Sequence, residues 1–529
     1  MTSITHKFSP IFISLTVLAL LVFLKVPSVS ELGDLLWAED ANIFINGVFE
    51  HGLKSLIQPY AGYIHLFPRV WSLTLLYVGL IHAPLFFLTG WIVVAIFTGF
   101  ILVRVMQGLG FRFYEALILY SLIFLQPNGG EIYFNITNAQ WFLGFALGAW
   151  FLIGKEKVNT FIEAFLVALS CLTGPFGILL TPVLIVKFYF LGNWRPNKFS
   201  IIIFLLSIFI QILVIATNNR PSLAIDLNLI NWLKAISIFI SLGMDGQFKI
   251  LALVFWIFLV FLAIKSIQLK VMTKKQESAL LIIFYGLIVY AAALYASKNA
   301  PHILNPMGGG SRYFWIPYAT LFTAVILLVR NQFEKYLAYG LILLVCVLGL
   351  NHKAERKATD FNANVRFNEI KKNDIIVNPF NPNLITNKWK INTGPLRQPG
   401  TNYKLYEMNK KDILNWNGKL EDIEGGFSIQ ELKSDPYFIF NVNKECNSFK
   451  YIAMVVELSH EASGRTQFFW ASHKKDNFSE INSRSRFIGP DRNQIIFAIS
   501  KPFDVSSVRF DPSSDNLKQF IYKVELYCY

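Results

Sequence analysis

The stretch WAEDANIFINGVFEHGLKSLIQPYAGYIHLFPR, residues 37–69, separates a first apolar run at Ile11–Val29 from a long series of further ones. It opens on the adjacent carboxylates Glu39 and Asp40 and closes on His65 and Arg69, where the chain turns apolar again. The run before it can cross a hydrocarbon core of about 30 Å at roughly 1.5 Å per residue. No small-residue cleavage site follows that run, so it reads as a first span and not a removable signal. Residues 30–65 then form a first loop outside the membrane. Trp37, Ile43, Phe44, Val48 and Phe49 have roughly helical spacing, which predicts an amphipathic helix in the interface with the carboxylates near its start. A solvated loop with an N-capping Asp is the plainer alternative.

The rest of the chain fits that opening. Of 529 residues, 54% are hydrophobic and 16% charged, and the mean hydropathy is +0.45. A soluble domain carries nearer a quarter charged residues, and a disordered chain far fewer apolar ones. Four Cys exclude a disulfide-dense scaffold. The net charge of +14 is spread along the chain without aromatic interleaving, which points to cytoplasmic loops and lipid headgroups and away from nucleic acid.

Composition changes near Leu350, so residues 1–350 read as a polytopic α-helical membrane bundle and 351–529 as a soluble part. Further spans are expected at 66–82, 85–104, 114–126, 139–154, 160–172, 176–191, 199–217, 248–264, 278–297, 313–330 and 336–350, with a weaker one at 228–243, giving about 11–13. Several are short or broken by Pro and Gly, as in bundles that enclose a membrane-embedded cavity. Arg104/Arg112, Lys155/Lys157, Lys187/Arg195/Lys198, Lys265/Lys270/Lys274/Lys275 and Arg330/Lys335 mark cytoplasmic loops. Segments 127–138, 218–247, 298–312 and everything after 350 then face the other side, with the first loop. Two full crossings between 66 and 104 would put Arg104 outside, so either 66–82 is a surface or re-entrant helix or the charge rule fails there.

Ionisable groups near a bilayer are costly and mark candidate sites. On the outer side, NGGEIYFNITNAQW (128–141) carries Glu131, Asn135, Asn138, Gln140 and Trp141. SKNAPHILNPMGGGSRYF (297–314) carries Lys298, His302, Arg312 and Tyr313 beside three glycines whose backbone suits an anionic group. Turn-forming and capping roles for the Asn residues, and a plain flexible loop, are the rival readings. No metalloprotease, Walker A, paired CxxC or nucleophile-elbow motif is present. Asn135-Ile-Thr and Asn477-Phe-Ser match the glycosylation sequon.

WAED, GYIHLFPR, EIYFNITNAQW and GGGSRYF together resemble the GT-C superfamily of polytopic membrane glycosyltransferases, nearest its bacterial surface-polysaccharide members. The resemblance covers the first 350 residues. It implies a polyprenyl-phosphate-linked sugar donor and transfer to a glycan acceptor, a surface or lipid-linked glycan of the O-antigen type, on the outer face of the bacterial inner membrane. Asp40 takes the position of the catalytic loop carboxylate, the base for the acceptor hydroxyl, with Glu39 beside it. Arg69, His65, Lys298, His302, Arg312 and Tyr313 would bind the donor phosphate. Glu131, Asn135, Asn138, Gln140 and Trp141 would line the sugar or acceptor pocket. No cofactor is firmly implied. Some members use a divalent metal with a DxD-type loop, which is missing here, so metal dependence stays open. An O-antigen polymerase or ligase, and a lipid-linked oligosaccharide transporter, are the rival functions.

The tail alternates in short apolar stretches at 436–442, 449–458, 465–471, 493–499, 505–511 and 519–527, which predicts a β-sandwich or jelly-roll-like extracytoplasmic domain over 426–529, with mixed structure at 351–425. Cys446 precedes one of these strands and Cys528 follows the last. Antiparallel neighbours bring such ends together, so a disulfide is expected in an oxidising compartment. The tail, with its VRFDPSSD stretch, resembles accessory β-domains of bacterial glycosyltransferases. Phe468, Phe469 and Trp470 either stack on sugars or fill the core, and burial decides between the two.

Overall fold

The computed structural model describes residues 14, 16–25, 36–37, 39–128, 130–154, 159–191, 197–218, 224–268, 272–349, 361–370, 375–376, 390–391, 403–408, 410–417, 419–423, 426–430, 437–460, 464–471, 478–479, 482–488, 491–501, 504–512 and 519–529. Lys155, Lys157, Arg195, Lys270, Asn477, and much of 11–29 and of 351–425 lie outside the described residues. The chain divides into two compact units. One gathers Met1–Gly33, His51–Tyr77 and Leu85–Arg356, and the other Asp34–Glu50, Val78–Pro84 and Lys357–Tyr529.

The helices in chain order are α1 Thr16–Lys25, then α2 Asn46–His51, α3 Leu66–Val78, α4 Ala83–Gly108, α5 Phe113–Leu125, α6 Ala139–Ile153, α7 Thr160–Cys171 and α8 Phe176–Leu191. They continue as α9 Lys198–Thr217, α10 Leu229–Ile240, α11 Lys249–Ile267, α12 Lys274–Ala296, α13 Arg312–Leu328, α14 Gln332–Gly349 and α15 Phe361–Ile370. The expected spans at 85–104, 199–217, 248–264 and 278–297 fall on four segments long and apolar enough to cross a membrane: Leu80–Gly108, Lys198–Thr217, Gly246–Ile267 and Lys274–Ala296. Most of the other expected spans fall on apolar helices of 10–17 residues. α3 is one of these, and its 13 residues rise only about 20 Å.

The first unit is an α-helical bundle whose outer helices α9 and α11 show large apolar side chains outward, among them Phe209, Leu213, Ile257 and Phe261. α6 and α13 are buried nearly all round, as a helix apolar on every face must be. On α6, Gly144 and Gly148 are spaced for close helix approach. A Cβ on either would come within 2.5 Å of a ring, Phe176 in α8 or Tyr285 in α12. The Tyr285 hydroxyl donates to the Gly144 carbonyl at 2.9 Å across that contact.

The second unit carries a C-terminal β-sandwich. Its described strands are β1 Ile375–Ile376, β2 Lys390–Ile391, β3 Lys404–Met408, β4 Ile413–Asn417, β5 Lys419–Ile423, β6 Gly426–Gln430, β7 Tyr437–Asn441, β8 Tyr451–His460, β9 Gly464–Ala471, β10 Ser483–Ile488, β11 Asp491–Ser500, β12 Ser507–Asp511 and β13 Gln519–Cys528. One sheet runs β10-β9-β12-β7-β4, and the other β11-β8-β13-β6-β5 with β3 also on β13. Alternation decides the faces. Ile452, Met454, Val456 and Leu458 of β8 enter the core between the sheets, while Ala453 and Val455 pack under α15 with Phe367 and Tyr529. In β13 the register shifts between Ile521 and Lys523. That bulge lets Ile521 and Val524, three residues apart, both enter the core.

Cys446 and Cys528 are bonded, with Cα atoms 5.3 Å apart, where the segment leading into β8 meets the end of β13. Phe468 and Trp470 lie in the core between the sheets, and Phe469 is buried on the opposite face beneath the Arg509 guanidinium, 5.1 Å from its ring centroid. Stacking of these three rings on a sugar is therefore overturned, because both faces of β9 are covered.

Candidate functional site

In the second unit, Asp40 opens a widened helical turn over Asp40–Ile45 whose turns close five residues apart. Such turns are rare and concentrate where a side chain must be re-aimed. Asp40 is 1% exposed, with Ala41, Phe44 and Ile45 buried beside it. Glu39 stands at the cap position and makes no capping bond with its side chain. The cap position thus falls on Glu39 and not on Asp40, and Asp40 lies on the buried side of the segment. Val48 is buried too, whereas Trp37, Ile43 and Phe49 are half-buried. The helix expected here forms, over Asp40–His51, but it packs on more than one face.

In the first unit, the polar residues gather around the start of α13. Glu131 accepts from Arg312 Nη1 at 2.7 Å, and its second oxygen lies 3.4 Å from the Arg312 amide and the Ser311 hydroxyl. The carboxylate thus sits at the positive end of a 17-residue helix as well as in an ion pair. The segment from Gln126 to Asn138 is almost wholly buried despite its irregular backbone. Its polar groups are met partly within the segment and partly by neighbouring helices, while Gln126 Oε1 and Asn128 Oδ1 have no partner among the described residues. Asn135 donates to the Glu131 and Tyr133 carbonyls, both at 2.9 Å, and accepts from the Asn138 amide, while Asn138 donates to the Glu131 carbonyl at 2.7 Å. Gln126 and Asn128 tie the segment to the carbonyls of Trp315 and Ser311, and Lys25 holds the Gln126 carbonyl. Phe134 has a left-handed backbone, φ 61°, which a bulky residue adopts only under packing constraint. Its ring lies 4.9 Å from Trp91. Asn135 and Asn138 thus spend their amides on holding this segment in shape.

A run of contacts leads from Arg312 to the entry of α3. The Arg312 guanidinium lies 5.2 Å from the Tyr313 ring centroid, and Tyr313 meets Trp141 edge-on at 5.4 Å. Trp141 in turn contacts Phe176 at 5.0 Å. Gln140 crowds Gly174, where a Cβ would lie 2.6 Å from its Oε1. Gly174 and Thr173 pair with the strand-like segment Ile64–Leu66, through the Gly174 amide to the Ile64 carbonyl at 3.1 Å and the Leu66 amide to the Leu172 carbonyl at 3.0 Å. His65 and Arg69 lie on that segment and its first helical turn, 1% and 3% exposed. Gln211, a lone amide in the apolar α9, fastens the junction by accepting from the Ile64 amide and reaching the carbonyls of Ile64, Cys171 and Gly174. Sequence reasoning passed over Gln211, although a single Gln inside SIFIQILVI was the signal.

Lys298 and His302 belong elsewhere. The Lys298 carbonyl accepts from the Asp226 amide at 2.7 Å, and His302 Nδ1 is 4.0 Å from Asp226 Oδ2. The Asn228 amide and the Asn231 side chain hold the Asp226 carboxyl below its ordinary range, with a smaller contribution from His302. Among the described residues, no hydrogen bond or ion pair joins these two to Arg312. Nor do three His, Cys, Asp or Glu side chains come together there as a metal site.

Two polar atoms in this run are left without a partner among the described residues, Gln140 Oε1 and Trp141 Nε1, both buried. Neighbouring in sequence, they are an acceptor without a donor and a donor without an acceptor.

No protein-family profile and no curated protein matches the chain. Among solved structures it is similar to the carbohydrate-binding module CBM29_1 from Piromyces equi, at 9% identity over 24% of this chain and 91% of that one, with a TM-score of 0.20. It is similar to the C-terminal CBM6 of LamC from Zobellia galactanivorans, at 7% identity over 24% and 100%, with a TM-score of 0.19. It is also similar to the arabinosyltransferase EmbB from Mycobacterium smegmatis, at 12% identity over 92% of this chain and 62% of that one, with a TM-score of 0.27. Likeness of this order assigns no family.

Proposed function

We propose that this protein is a membrane glycosyltransferase that moves a sugar from a polyprenyl-phosphate donor to a surface or lipid-linked glycan, on the outer face of a bacterial inner membrane. The observation that carries the reading is the orphaned pair at Gln140 and Trp141. Burying an unmet polar atom costs about 1–3 kcal/mol, so both call for a partner that donates and accepts. A sugar hydroxyl does both. The helices around them supply the apolar walls of a saccharide or lipid-linked site, and the nearby Arg69 and Arg312 suit a phosphate leaving group.

In this reading the Asp40 carboxylate takes the proton of the acceptor hydroxyl. The acceptor oxygen bonds to the anomeric carbon, the bond from that carbon to the phosphate oxygen breaks, and polyprenyl phosphate departs with the electron pair. Arg69 and Arg312 stabilise that charge. Glu131 is a positioning residue that fixes the Arg312 fork. His65 and Tyr313 lie along the same contacts and would shape the donor site.

Purified protein in proteoliposomes with a lipid-linked donor tests the class: glycosylated acceptor supports it, and lipid movement without turnover overturns it in favour of a transporter. The Gln140→Leu variant tests the pocket. It should raise the KM for the sugar donor roughly tenfold, the worth of about one hydrogen bond to a substrate hydroxyl, at an unchanged or slightly higher melting temperature. A higher melting temperature with wild-type kinetics would make the orphaned carbonyl a mere packing defect.

A further inference from the structure

Away from these residues, the first unit has an open cleft of about 480 Å³ between the end of α4, the start of α12 and the end of α13. Lys274, Lys275 and Arg330 line it together with Thr273, Gln276 and the buried Leu327 and Leu328. Two of the neighbouring carboxylates, Glu115 and Glu334, are already engaged. Glu115 accepts from Lys335 at 2.6 Å and from the Arg112 amide at 2.9 Å. Glu334 pairs with Lys265 and accepts from the Arg330 amide at 2.8 Å. Among the described residues, neither Lys274 nor Lys275 forms a salt bridge, and Lys275 feels the Glu115 charge only at longer range. Lys275 lies over the Phe111 ring, 4.3 Å from its centroid.

The backbone adds to this charge. Thr273 and Gln276 cap one another at the start of α12, through Gln276 Oε1 to the Thr273 amide at 2.8 Å and the Gln276 amide to Thr273 Oγ1 at 3.4 Å. That uses the first and fourth amides and leaves those of Lys274 and Lys275, at the positive end of a 23-residue helix, with no helical acceptor. Exposed aromatics stand at the same level of the bundle. Tyr114 accepts from Arg112, and Phe333 and Tyr336 flank the paired Lys335. Such rings mark headgroup depth in membrane proteins.

The geometry points to a binding site for a phosphate group, occupied by the headgroup of an anionic phospholipid. Three cations and two backbone amides meet the phosphate, and Leu327 and Leu328 meet the glycerol and the first acyl carbons. Basic pockets between spanning helices recognise headgroups through this combination. It lies at the end of the bundle where the basic loops are expected to be cytoplasmic, and it shares no residue with the proposed transfer site.

The test is native mass spectrometry of the full-length protein released from nanodiscs of mixed phosphatidylglycerol and phosphatidylcholine. Wild type should retain phosphatidylglycerol, and the Lys274→Gln/Lys275→Gln/Arg330→Gln variant should lose it roughly tenfold. The conservative Lys274→Arg/Lys275→Arg variant should keep it, and the single Lys274→Gln variant, whose side chain is exposed, covers the case where the triple variant does not fold. A parallel arm adds inorganic phosphate to lipid-stripped protein. A rise in melting temperature with lipid alone identifies the headgroup as the source, and an equal rise with phosphate alone identifies free phosphate at the same site. Equal phosphatidylglycerol retention by wild type and a folded triple or single Gln variant overturns the proposal.

Discussion

Replacing Asp40 by Asn should lower sugar transfer by about 10²–10⁴-fold, the usual worth of a positioned general base. The exchange keeps the shape of a side chain that is 1% exposed and removes its charge, so the segment over Asp40–Ile45 should keep its fold. Membrane insertion and protein level are the controls, and the surface glycan or an in vitro product is the readout. Glu39→Gln, run in parallel, should cost far less, because Glu39 is the half-buried neighbour. Loss with Asp40→Asn alone identifies the base. Full activity in both variants takes the first loop out of the chemistry and turns attention to the polymerase or transporter reading.

The Cys446→Ala/Cys528→Ala variant should lose about 2–5 kcal/mol of stability in the β-sandwich, since the bond closes a long loop in the unfolded chain. The two cysteines are 82 residues apart in sequence, and both are fully buried in the core between the sheets. Hydrogen exchange on peptides from β8 and β13 in the full-length protein reads the effect strand by strand. The two pair along most of their length, so their protection should fall together. Unchanged exchange in both would mean that packing alone sets the stability of the domain.

Much of the helical and strand layout is written in local pattern. Apolar runs found α4, α9, α11 and α12 within a few residues, because a membrane helix repeats its environment over 20 residues or more. Six tail strands were visible as alternation, from β7 to β9 and from β11 to β13. The short strands β3 to β6 and β10 were missed, since five or six residues rich in polar side chains carry little period. The roles of individual polar residues were the least legible. Asn135 and Asn138 look alike as free amides in the sequence, yet each is used by the carbonyls a few residues before it. His302 finds Asp226 only because the start of α10 folds against it, 76 residues away. Phe469 gave no sign that Arg509 from a neighbouring strand would cover it.

Helix lengths in the bundle are uneven, and that has a consequence for the surrounding lipid. α4 rises about 39 Å over its 26 residues, whereas α7, with 12, rises only about 18 Å. α7 nonetheless turns Phe161, Ile162 and Phe165 outward. A hydrocarbon layer near 30 Å exceeds that rise, so a bilayer around this face would thin locally or draw flanking side chains toward it, at a cost of a fraction of a kcal/mol per ångström. The protein thus carries a built-in gradient of bilayer thickness around its perimeter, and lengthening the host acyl chains should strain the α7 side first.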